Sequence, residues 1–284
     1  MTALTAAPVG QQYRSTLGHE LTLGGIIKSE WIKARSLRST WWCGALMVAL
    51  SVGFAALLVP AVIGSFDATF DLPLTDDGYA ISMANSGLYM VGQVIAVVFG
   101  ALTATSEYSS GSIRSTLAAA PRRGPVLIAK AIVVALVMAV VSTIALIGST
   151  AVAAAAITAN GYSLAFGADA VKMAVGVVFF LVVTGWVGLG LGFALRSSAG
   201  AIASGLGLYL ILPNVLFFGA SREWVANIIQ LLPTEAGQLA SSLASTIDSA
   251  DPLLGGWTGA MICLAVWAAA ALTAGYLVFK KRDA

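Results

Sequence analysis

The chain has 284 residues, of which 58% are hydrophobic and only 10% are charged, and its net charge is +2. A soluble domain carries about 25% charged residues, so this chain lacks the polar surface that a water-soluble fold of its size requires. The composition therefore predicts a membrane protein, and the small net charge gives no indication of a nucleic-acid partner.

The first forty residues combine a polar segment with an amphipathic helical pattern. Residues 1–22 are mixed in polarity and unlike a cleaved secretory signal, so we assign them to a flexible cytoplasmic N-terminus. Residues 23–40 place Leu, Ile, Trp and Ala on one broad arc, with most Lys, Arg and Ser elsewhere. Trp with Lys and Arg is typical of the headgroup zone, so we expect an interfacial helix on the inner leaflet.

One acid interrupts the apolar arc of this helix. Either an i,i+3 pair with Lys33 or a polar contact with a neighbouring subunit or loop explains Glu30 at that place. The bases of the helix need no partner other than anionic lipid, which attracts each by about 1 kcal/mol.

Residues 41–284 are predicted to form a single transmembrane domain. A helix needs about 20 apolar residues to cross about 30 Å of hydrocarbon, and six segments satisfy this requirement. They are about 41–64, 81–105, 126–158, 171–195, 199–220 and 256–279. The third is longer than a span requires, so we expect it to tilt or to project past the bilayer. The predicted fold class is all-α, with six transmembrane helices.

The basic residues assign a side to each loop, because Lys and Arg are enriched in cytoplasmic loops. Thirteen of the fifteen fall on one side of the six-span arrangement, and only Lys172 and Arg222 fall on the other. Both termini are therefore predicted to be cytoplasmic. No ionisable side chain lies well inside a predicted span, and Lys130 lies only near the start of the third, which argues against an ion-coupled carrier.

The cytoplasmic loop between the second and third spans contains the clearest candidate for a docking element. Ser106 as a cap and Pro121 as a stop predict a short amphipathic helix over Ser106–Ala120. Its polar face would hold Glu107, Ser110 and Arg114, beside an apolar strip of Ile113 and Leu117. A loop that only fixes topology needs neither feature, so we favour a helix that docks on a partner. The topological role stays open, and for Arg122 and Arg123 we favour contact with lipid.

Span five and the segment after it are the next unusual features. Pro213 and Asn214 free backbone carbonyls and add an amide at membrane depth, which makes them weak candidates for a substrate path, with a static kink as the alternative. The external loop Ser221–Gly255 is too apolar for a free loop and is compatible with a helix resting at the outer headgroups. Two G-x-x-x-G pairs permit close helix packing, within one chain or at a dimer seam.

Several chemistries lack the residues that they require. The single histidine, His19, lies before the first span, so the spans hold no base for a serine hydrolase, and no cluster of ligands has metal-site spacing. No G-x-x-x-x-G-K-[ST] loop is present to bind ATP. We therefore expect a non-catalytic membrane subunit without a metal or a cofactor of its own.

Two stretches carry a family resemblance. Residues 107–117 read EYSSGSIRSTL and are followed by PRR at 121–123 and AK at 129–130. This series resembles the E-Y-x-x-G-[ST]-I-R-x-T-L…P-R-R…A-K segment of ABC-2-type transporter permeases. Residues 29–42, SEWIKARSLRSTWW, are similar to the N-terminal segment of that family, especially of its actinobacterial members. The six-span layout also matches, so the resemblance extends over nearly the whole chain.

The resemblance implies the membrane subunit of a bacterial ABC exporter in the plasma membrane. Family members dimerise, here with a second permease copy or a paralogue, and bind two ABC ATPase subunits that hold ATP and Mg. The loop between spans two and three would be a coupling helix in a cleft of the ATPase, beside the interfacial helix. The implied ATPase-coupling residues are Glu107, Ser110, Gly111, Ile113, Arg114 and Leu117, and those of the interfacial helix are Glu30, Trp31, Lys33 and Arg35. The family also places short, partly inserted helices in the external loop.

The leading interpretation is thus an exporter permease that moves an amphipathic or apolar substrate outward with ATP hydrolysed by another chain. A membrane anchor or sensor is the alternative, in which the same basic loop recruits a cytoplasmic partner without transport. Recovery of a partner without nucleotide-binding motifs would favour that alternative.

Overall fold

The computed structural model describes residues 22–65, 79–119, 123–161, 164–242 and 253–281 as a bundle of α-helices. They are α1 (Leu23–Ser36), α2 (Arg38–Ser65), α3 (Tyr79–Ser109), α4 (Ile113–Ala119), α5 (Arg123–Ala159), α6 (Ala168–Leu195), α7 (Ser198–Leu206), α8 (Leu212–Phe217), α9 (Glu223–Gln230), α10 (Pro233–Ala240) and α11 (Trp257–Lys281). A π-helical turn, Gly207–Ile211, joins α7 to α8. Most of the predicted N-terminal segment, residues 1–21, lies outside the described residues, as does Arg122.

Six stretches are long and apolar enough to cross a membrane, which confirms the predicted spans and the all-α class. They are Arg38–Ile63, Ala80–Ser109, Arg123–Ala159, Ala168–Leu195, Ser198–Phe217 and Trp257–Lys281. The third is the longest, with 37 residues, and at 1.5 Å per residue it extends about 55 Å. It exceeds the length that a span requires, as predicted.

The two ends of the bundle differ in chemistry. One end gathers α1, α4 and the bases Arg123, Arg196 and Lys280, and we call it the basic end. The other holds α9, α10 and the start of α11, and we call it the hairpin end. Most of the buried apolar residues form one large core between these ends.

Glycine residues allow the backbone of α6 to contact the backbones of its neighbours α3 and α11. A Cβ atom at Gly188 would collide with the carbonyl oxygen of Val97 in α3, and one at Gly190 would collide with the carbonyl of Ala271 in α11. The small-residue stripe of span four therefore packs helices of one chain together, as the simpler of the two sequence interpretations held.

An irregular turn in span five joins it to α10. Pro213 has no N–H and cannot pair with the carbonyl of Tyr209, one helical turn earlier. That carbonyl instead accepts a hydrogen bond from the Thr234 hydroxyl at 3.2 Å, and the Thr234 carbonyl accepts one from the Tyr89 hydroxyl at 2.8 Å. Thr234 thus connects span five, α10 and α3.

The segment after span five packs into the bundle instead of resting on it. In α10, the residues Pro233, Thr234, Ala236, Gly237 and Ala240 are buried, and a Cβ atom at Gly237 would collide with the ring of Phe180. The expectation of a helix resting at the outer headgroups is therefore wrong for α10. Its apolar residues fill space between α6 and α11, and the sequence pattern alone does not distinguish this burial from contact with headgroups.

The loop between α3 and α5 also differs from the prediction of one helix over Ser106–Ala120. Here α3 continues to Ser109, the chain turns at Gly111 with φ +72°, and α4 covers only Ile113–Ala119. The left-handed backbone at Gly111 ends α3, whereas the sequence pattern predicts an uninterrupted helix through this position. Glu107 therefore belongs to the end of α3 and does not share a helix with Arg114.

Candidate functional site

Four ionisable side chains from three helices meet inside the basic end. Lys130 of α5 donates hydrogen bonds to Glu30 Oε2 of α1 and to Glu107 Oε1 of α3, both at 2.7 Å. Lys33 of α1 donates to Glu30 Oε1 at 2.8 Å and to Glu107 Oε1 at 2.9 Å. We call these four residues the ion cluster. They form a closed ring of alternating charge in which each member has two partners of opposite sign.

The ion cluster is buried except for Lys33. Relative exposure is 4% at Glu30, 7% at Glu107 and 2% at Lys130, whereas the Lys33 side chain is 42% exposed. Removing an ion from water costs several kcal/mol, and only close opposite charges with good hydrogen-bond geometry offset that cost. The closed ring supplies opposite charges at 2.7–2.9 Å, but Glu107 Oε2 is buried without a hydrogen-bond partner among the described residues, so the offset is incomplete there. Loss of any one member of the ring would leave two others with a single partner of opposite charge.

Lys33 remains charged over the whole physiological range. Burial alone would lower the pKa of Lys33, but hydrogen bonds from Lys33 to Glu30 and Glu107 outweigh it and raise the pKa above 10.5. The stability that this lysine contributes is complete below its unfolded pKa and is lost only as the pH rises through the raised folded value. The contribution of Lys33 to the ion cluster is therefore complete at neutral pH.

The sequence of α1 delivers Glu30 to this place. Thr22 caps the first turn, and Ile26, Glu30 and Ala34 form a buried stripe at i, i+4 and i+8. Ile26 packs on α5 at Ala129, so the next turn of α1 faces Lys130. The position of Glu30 in the apolar arc is confirmed.

Of the two explanations offered for Glu30, the first applies, and its contact beyond α1 is with a span of the same chain, neither with a neighbouring subunit nor with a loop. Its i,i+3 pair with Lys33 is confirmed, and its second carboxylate oxygen makes a polar contact with α5 of the same chain. Lys33 likewise contacts Glu107 instead of facing only lipid. Trp31 and Arg35, the other two interfacial residues, are exposed at the surface of α1.

Sequence reasoning did not assign a role to Lys130. Glu107 and Lys130 belong to the helices of spans two and three, but both lie near the ends of those helices, at the basic end. The expectation that no ionisable side chain lies well inside a span therefore stays a prediction. A usable signal was present, since Glu30 on an apolar arc and Lys130 near the start of a span carry complementary charges.

The segment after α3 touches the ion cluster. Thr116 of α4 lies 3.4 Å from Lys33 Nζ, and Ile113 is 4% exposed and part of the main core. Ser110 and Gly111 are exposed, at the turn between the helices. A cavity of about 470 Å³ opens between this turn and α1.

Two of the six predicted coupling residues cannot be placed in the same detail. Arg114 and Leu117 belong to α4, but their side chains lie outside the described part of the structure. The cluster thus brings Glu107 together with Glu30 and Lys33, residues that the family resemblance had assigned to two separate helices.

A series of cation–π and aromatic contacts lies beside the ion cluster. Arg196 stands 5.2 Å from the ring of Tyr108, which meets Phe193 edge-on at 6.4 Å. Phe193 lies 4.8 Å from Phe279, and Arg123 stands 5.7 Å above that last ring. Arg123 also donates to the Phe279 carbonyl at 2.6 Å. The expectation that Arg123 faces lipid is wrong, because it stabilises the C-terminal end of α11.

Pro213 and Asn214 lie apart from the ion cluster, in span five. Asn214 is exposed, and its amide donates to the Leu210 carbonyl of its own helix at 2.6 Å. Their assignment to a substrate path stays a prediction.

The contacts of this site connect helices, and the described residues offer no metal-binding group. Within the described ranges, no group of three or more His, Cys, Asp or Glu side chains could hold a metal ion. The charges of the ion cluster are held by one another, and they tie α1, α3 and α5 together next to an exposed turn.

Comparison with known proteins gives one match. A family model described as "ABC-2 family transporter protein" matches residues 25–284, a range that includes the ion cluster, α4 and all six spans. A search of the curated proteins finds no match.

Proposed function

Because the chain belongs to the ABC-2 transporter family, we propose that it is the permease subunit of an exporter driven by a separate ATPase. ATP and Mg would be bound by two ATPase subunits, and the transmembrane path would be completed by a second permease copy or a paralogue. The basic end would face the cytoplasm, as the distribution of Lys and Arg predicts. The substrate would be amphipathic or apolar and would move outward.

The ion cluster carries this proposal. Glu107 lies at the end of α3, directly before the exposed turn at Ser110 and Gly111, and its carboxylate holds bases from α1 and α5. An ATPase that pushes on this turn or on α4 would therefore move three helices together. Hydrogen bonds between charged side chains are stronger than those between neutral ones, so they are well suited to connect α1, α3 and α5.

The same geometry assigns separate tasks to the two sides of the turn. Residues before the turn, such as Glu107, would transmit the motion of the ATPase to the spans. The exposed residues Ser110 and Gly111 of the turn would contact the ATPase, and Arg114 of α4 is the predicted anchor. Closure of the two ATPases on ATP would then be transmitted as a rigid-body shift of α1, α3 and α5.

The experiment is affinity purification of the permease from native membranes, followed by ATPase measurement in liposomes with the recovered partner. We expect a partner that contains a phosphate-binding loop. Arg114→Glu should weaken its co-purification, because it changes the proposed contact. Glu107→Gln should retain the partner but reduce the effect of the permease on ATP hydrolysis.

Lys172→Glu is the matched control, since Lys172 is an exposed base at the hairpin end with only an i,i+3 partner. It should change neither quantity. A recovered partner without nucleotide-binding motifs would support an anchor or sensor instead. Unchanged binding in Arg114→Glu together with unchanged hydrolysis in Glu107→Gln would contradict the coupling role.

A further inference from the structure

A second cavity lies at the hairpin end, far along α3 from the ion cluster. It has a volume of about 480 Å³ and lies between α2, α3 and α10. We call the apolar residues of its lining, Phe54, Leu58 and Met90, the apolar wall. We call the polar residues the polar wall: Ser82, Asn85, Ser86, Tyr89, Gln238, Ser241 and Ser242. The two walls meet on α3, where Met90 lies one turn after Ser86. We call this cavity the hairpin groove, and its two walls fit an amphipathic molecule.

Asn85 presents an unused acceptor to the hairpin groove. The residue is 4% exposed, and its Nδ2 donates to the Ser241 carbonyl at 3.2 Å, which fixes the orientation of the amide. Its Oδ1 is buried and has no hydrogen-bond partner among the described residues. A buried amide oxygen without a partner costs free energy, so a ligand that donates to it would be favoured.

The hydroxyl groups of the polar wall also face a ligand as acceptors. Ser86 donates its proton to the Ser82 carbonyl, Ser242 to the Gln238 carbonyl, and Tyr89 to the carbonyl of a residue in α10. Each hydroxyl has one proton, so the lone pairs remain for a ligand. The polar wall is therefore rich in acceptors, which suits a ligand rich in donors.

A carboxylate adds negative charge beside this wall. Glu235 precedes Gln238 by three residues, so the two share one face of α10, and Ser242 follows just after the end of this helix. It is close enough to Tyr89 for their charges to interact. No ion pair to Glu235 is present in the part of the chain that the structure describes. Burial raises the pKa of Glu235 above 4.5, as expected for a carboxylate without a counter-ion.

We propose that the hairpin groove binds the protonated primary amine of an amphipathic molecule, whose tail lies on the apolar wall. An ammonium group has three donors and no acceptor, which matches the acceptors of Asn85, Ser86 and Ser242. Glu235 supplies the opposite charge. This inference rests on the proposed function, in which the hairpin end is the side of release and the groove is a substrate site.

Binding is measured on the permease alone in lipid nanodiscs, so that the result does not depend on an ATPase. The probe is a twelve-carbon primary amine with a dansyl group at the far end of its tail, titrated by fluorescence against empty nanodiscs. We expect saturable binding in excess of the empty discs. The trimethylammonium analogue, which keeps the charge but has no N–H donor, should bind at least about tenfold more weakly. The N-acetyl analogue, which is neutral, should also be weaker.

Substitutions locate the probe. Asn85→Leu and the double variant Gln238→Leu/Ser242→Ala should each weaken binding at least about tenfold, and Glu235→Gln should weaken the primary amine more than the N-acetyl analogue. Gln238 is exposed and Ser242 is half-buried, so the double variant tests the groove even if Asn85→Leu fails to fold. Asn160→Leu, an exposed amide just after α5 and outside the groove, is the control and should not change binding. Asn214→Leu tests the alternative path in span five.

Three results would overturn the inference: no saturable binding above empty nanodiscs, equal affinity for the primary and trimethylammonium probes, or full affinity in the double variant. Weakening by Asn214→Leu alone would instead place the ligand at the path first predicted from Pro213 and Asn214. None of these results bears on co-purification of the ATPase or on the effect of Glu107→Gln, so the proposed function would fail or stand separately.

Discussion

At the scale of single residues, Lys130 has the largest energetic consequence. It is a base that is 2% exposed in a chain of which only 10% is charged, and its two partners come from helices distant in sequence. A buried ion pair adds little net stability compared with an apolar pair of the same volume. Its value here is that it fixes one geometry among α1, α3 and α5.

Replacing Lys130 alone should cost more than replacing it together with a partner. Lys130→Met leaves the carboxylates of Glu30 and Glu107 buried with only Lys33, and we expect a loss of about 3–5 kcal/mol in unfolding free energy. Glu107→Gln/Lys130→Met removes one charge of each sign, so its loss should be smaller than the sum of the single variants. Reversible unfolding in detergent micelles measures all three.

The exposed base Lys172 provides the control for this cycle. It pairs with Asp169 at 2.9 Å and its side chain is 56% exposed, so Lys172→Met should change stability by less than about 1 kcal/mol. If Lys130→Met is no less stable than Lys172→Met, the ion cluster does not hold the three helices together.

Glu235 predicts a pH dependence at the hairpin end. Burial raises the pKa of Glu235, so the folded state binds its proton more tightly than the unfolded state does. Stability therefore falls as the pH rises from the unfolded pKa, about 4.3, through the raised folded value, and the cost of the charged form is complete above it. Glu235→Gln should raise the melting temperature at pH 7.5, and the difference should shrink as the pH is lowered toward 4.

The exposed acid Glu223, on the first turn of α9, is the matched control. Glu223→Gln should give no gain in melting temperature that disappears at low pH. A gain from Glu235→Gln that is equal at pH 4 and pH 7.5 would indicate altered packing instead of removal of a buried charge.

At the scale of elements, the break between α3 and α4 would determine how motion of the ATPase is transmitted to the spans. Gly111 has φ +72°, and no atom lies within 4 Å of the place where its Cβ would be. The cost of Gly111→Ala is therefore conformational, about 1–2 kcal/mol. We expect Gly111→Val to impair the effect of the permease on ATP hydrolysis most, Gly111→Ala less, and Gly111→Asn least, because Asn tolerates the left-handed region.

Gly53 in α2 provides the control for the general effect of replacing a glycine, as distinct from the effect of the left-handed backbone at Gly111. It also has open space around its Cβ, but its backbone is helical, so Gly53→Ala should leave coupling unchanged and stability equal or higher. If Gly111→Val and Gly53→Ala behave alike in the ATPase assay, the break does not contribute to coupling.

The sequence predicts the elements better than it predicts their contacts. Six apolar stretches and the surplus of Lys and Arg on one side indicated the spans because each is a local property. The ring formed by Glu30 and Lys130 joins residues 100 positions apart, and no local pattern specifies that separation. Gly111 was visible in the sequence, but its positive φ depends on where α3 is held by Glu107. The burial of α10 similarly follows from the space that Gly237 leaves for Phe180.

At the scale of the whole molecule, α3 connects the two candidate sites. It presents Asn85 to the hairpin groove near one end and Glu107 to the ion cluster near the other. Between them it contacts α6 at backbone distance, where Gly188 meets Val97. Such close contacts leave little room for sliding, so α3 and α6 would move as one body. A shift imposed at the basic end would then reach the hairpin groove without an intermediate element.

This scheme requires the basic end to face the cytoplasm, and cysteine labelling tests that orientation. In a background of Cys43→Ala and Cys263→Ala, a membrane-impermeant maleimide should label Ser221→Cys on intact cells, because Ser221 is exposed at the hairpin end. Ser110→Cys and Ser198→Cys, both exposed at the basic end, should react only after the cells are opened.

The same reporters distinguish the orientation from the docking surface. With the ATPase co-expressed, Ser110→Cys should be protected in opened cells, because it lies on the turn before α4, whereas Ser198→Cys should be protected less. Labelling of Ser110→Cys on intact cells would reverse the orientation and remove the basis for coupling at the ion cluster. Correct sidedness with equal protection of both cysteines would keep the orientation but move the ATPase contact away from α4.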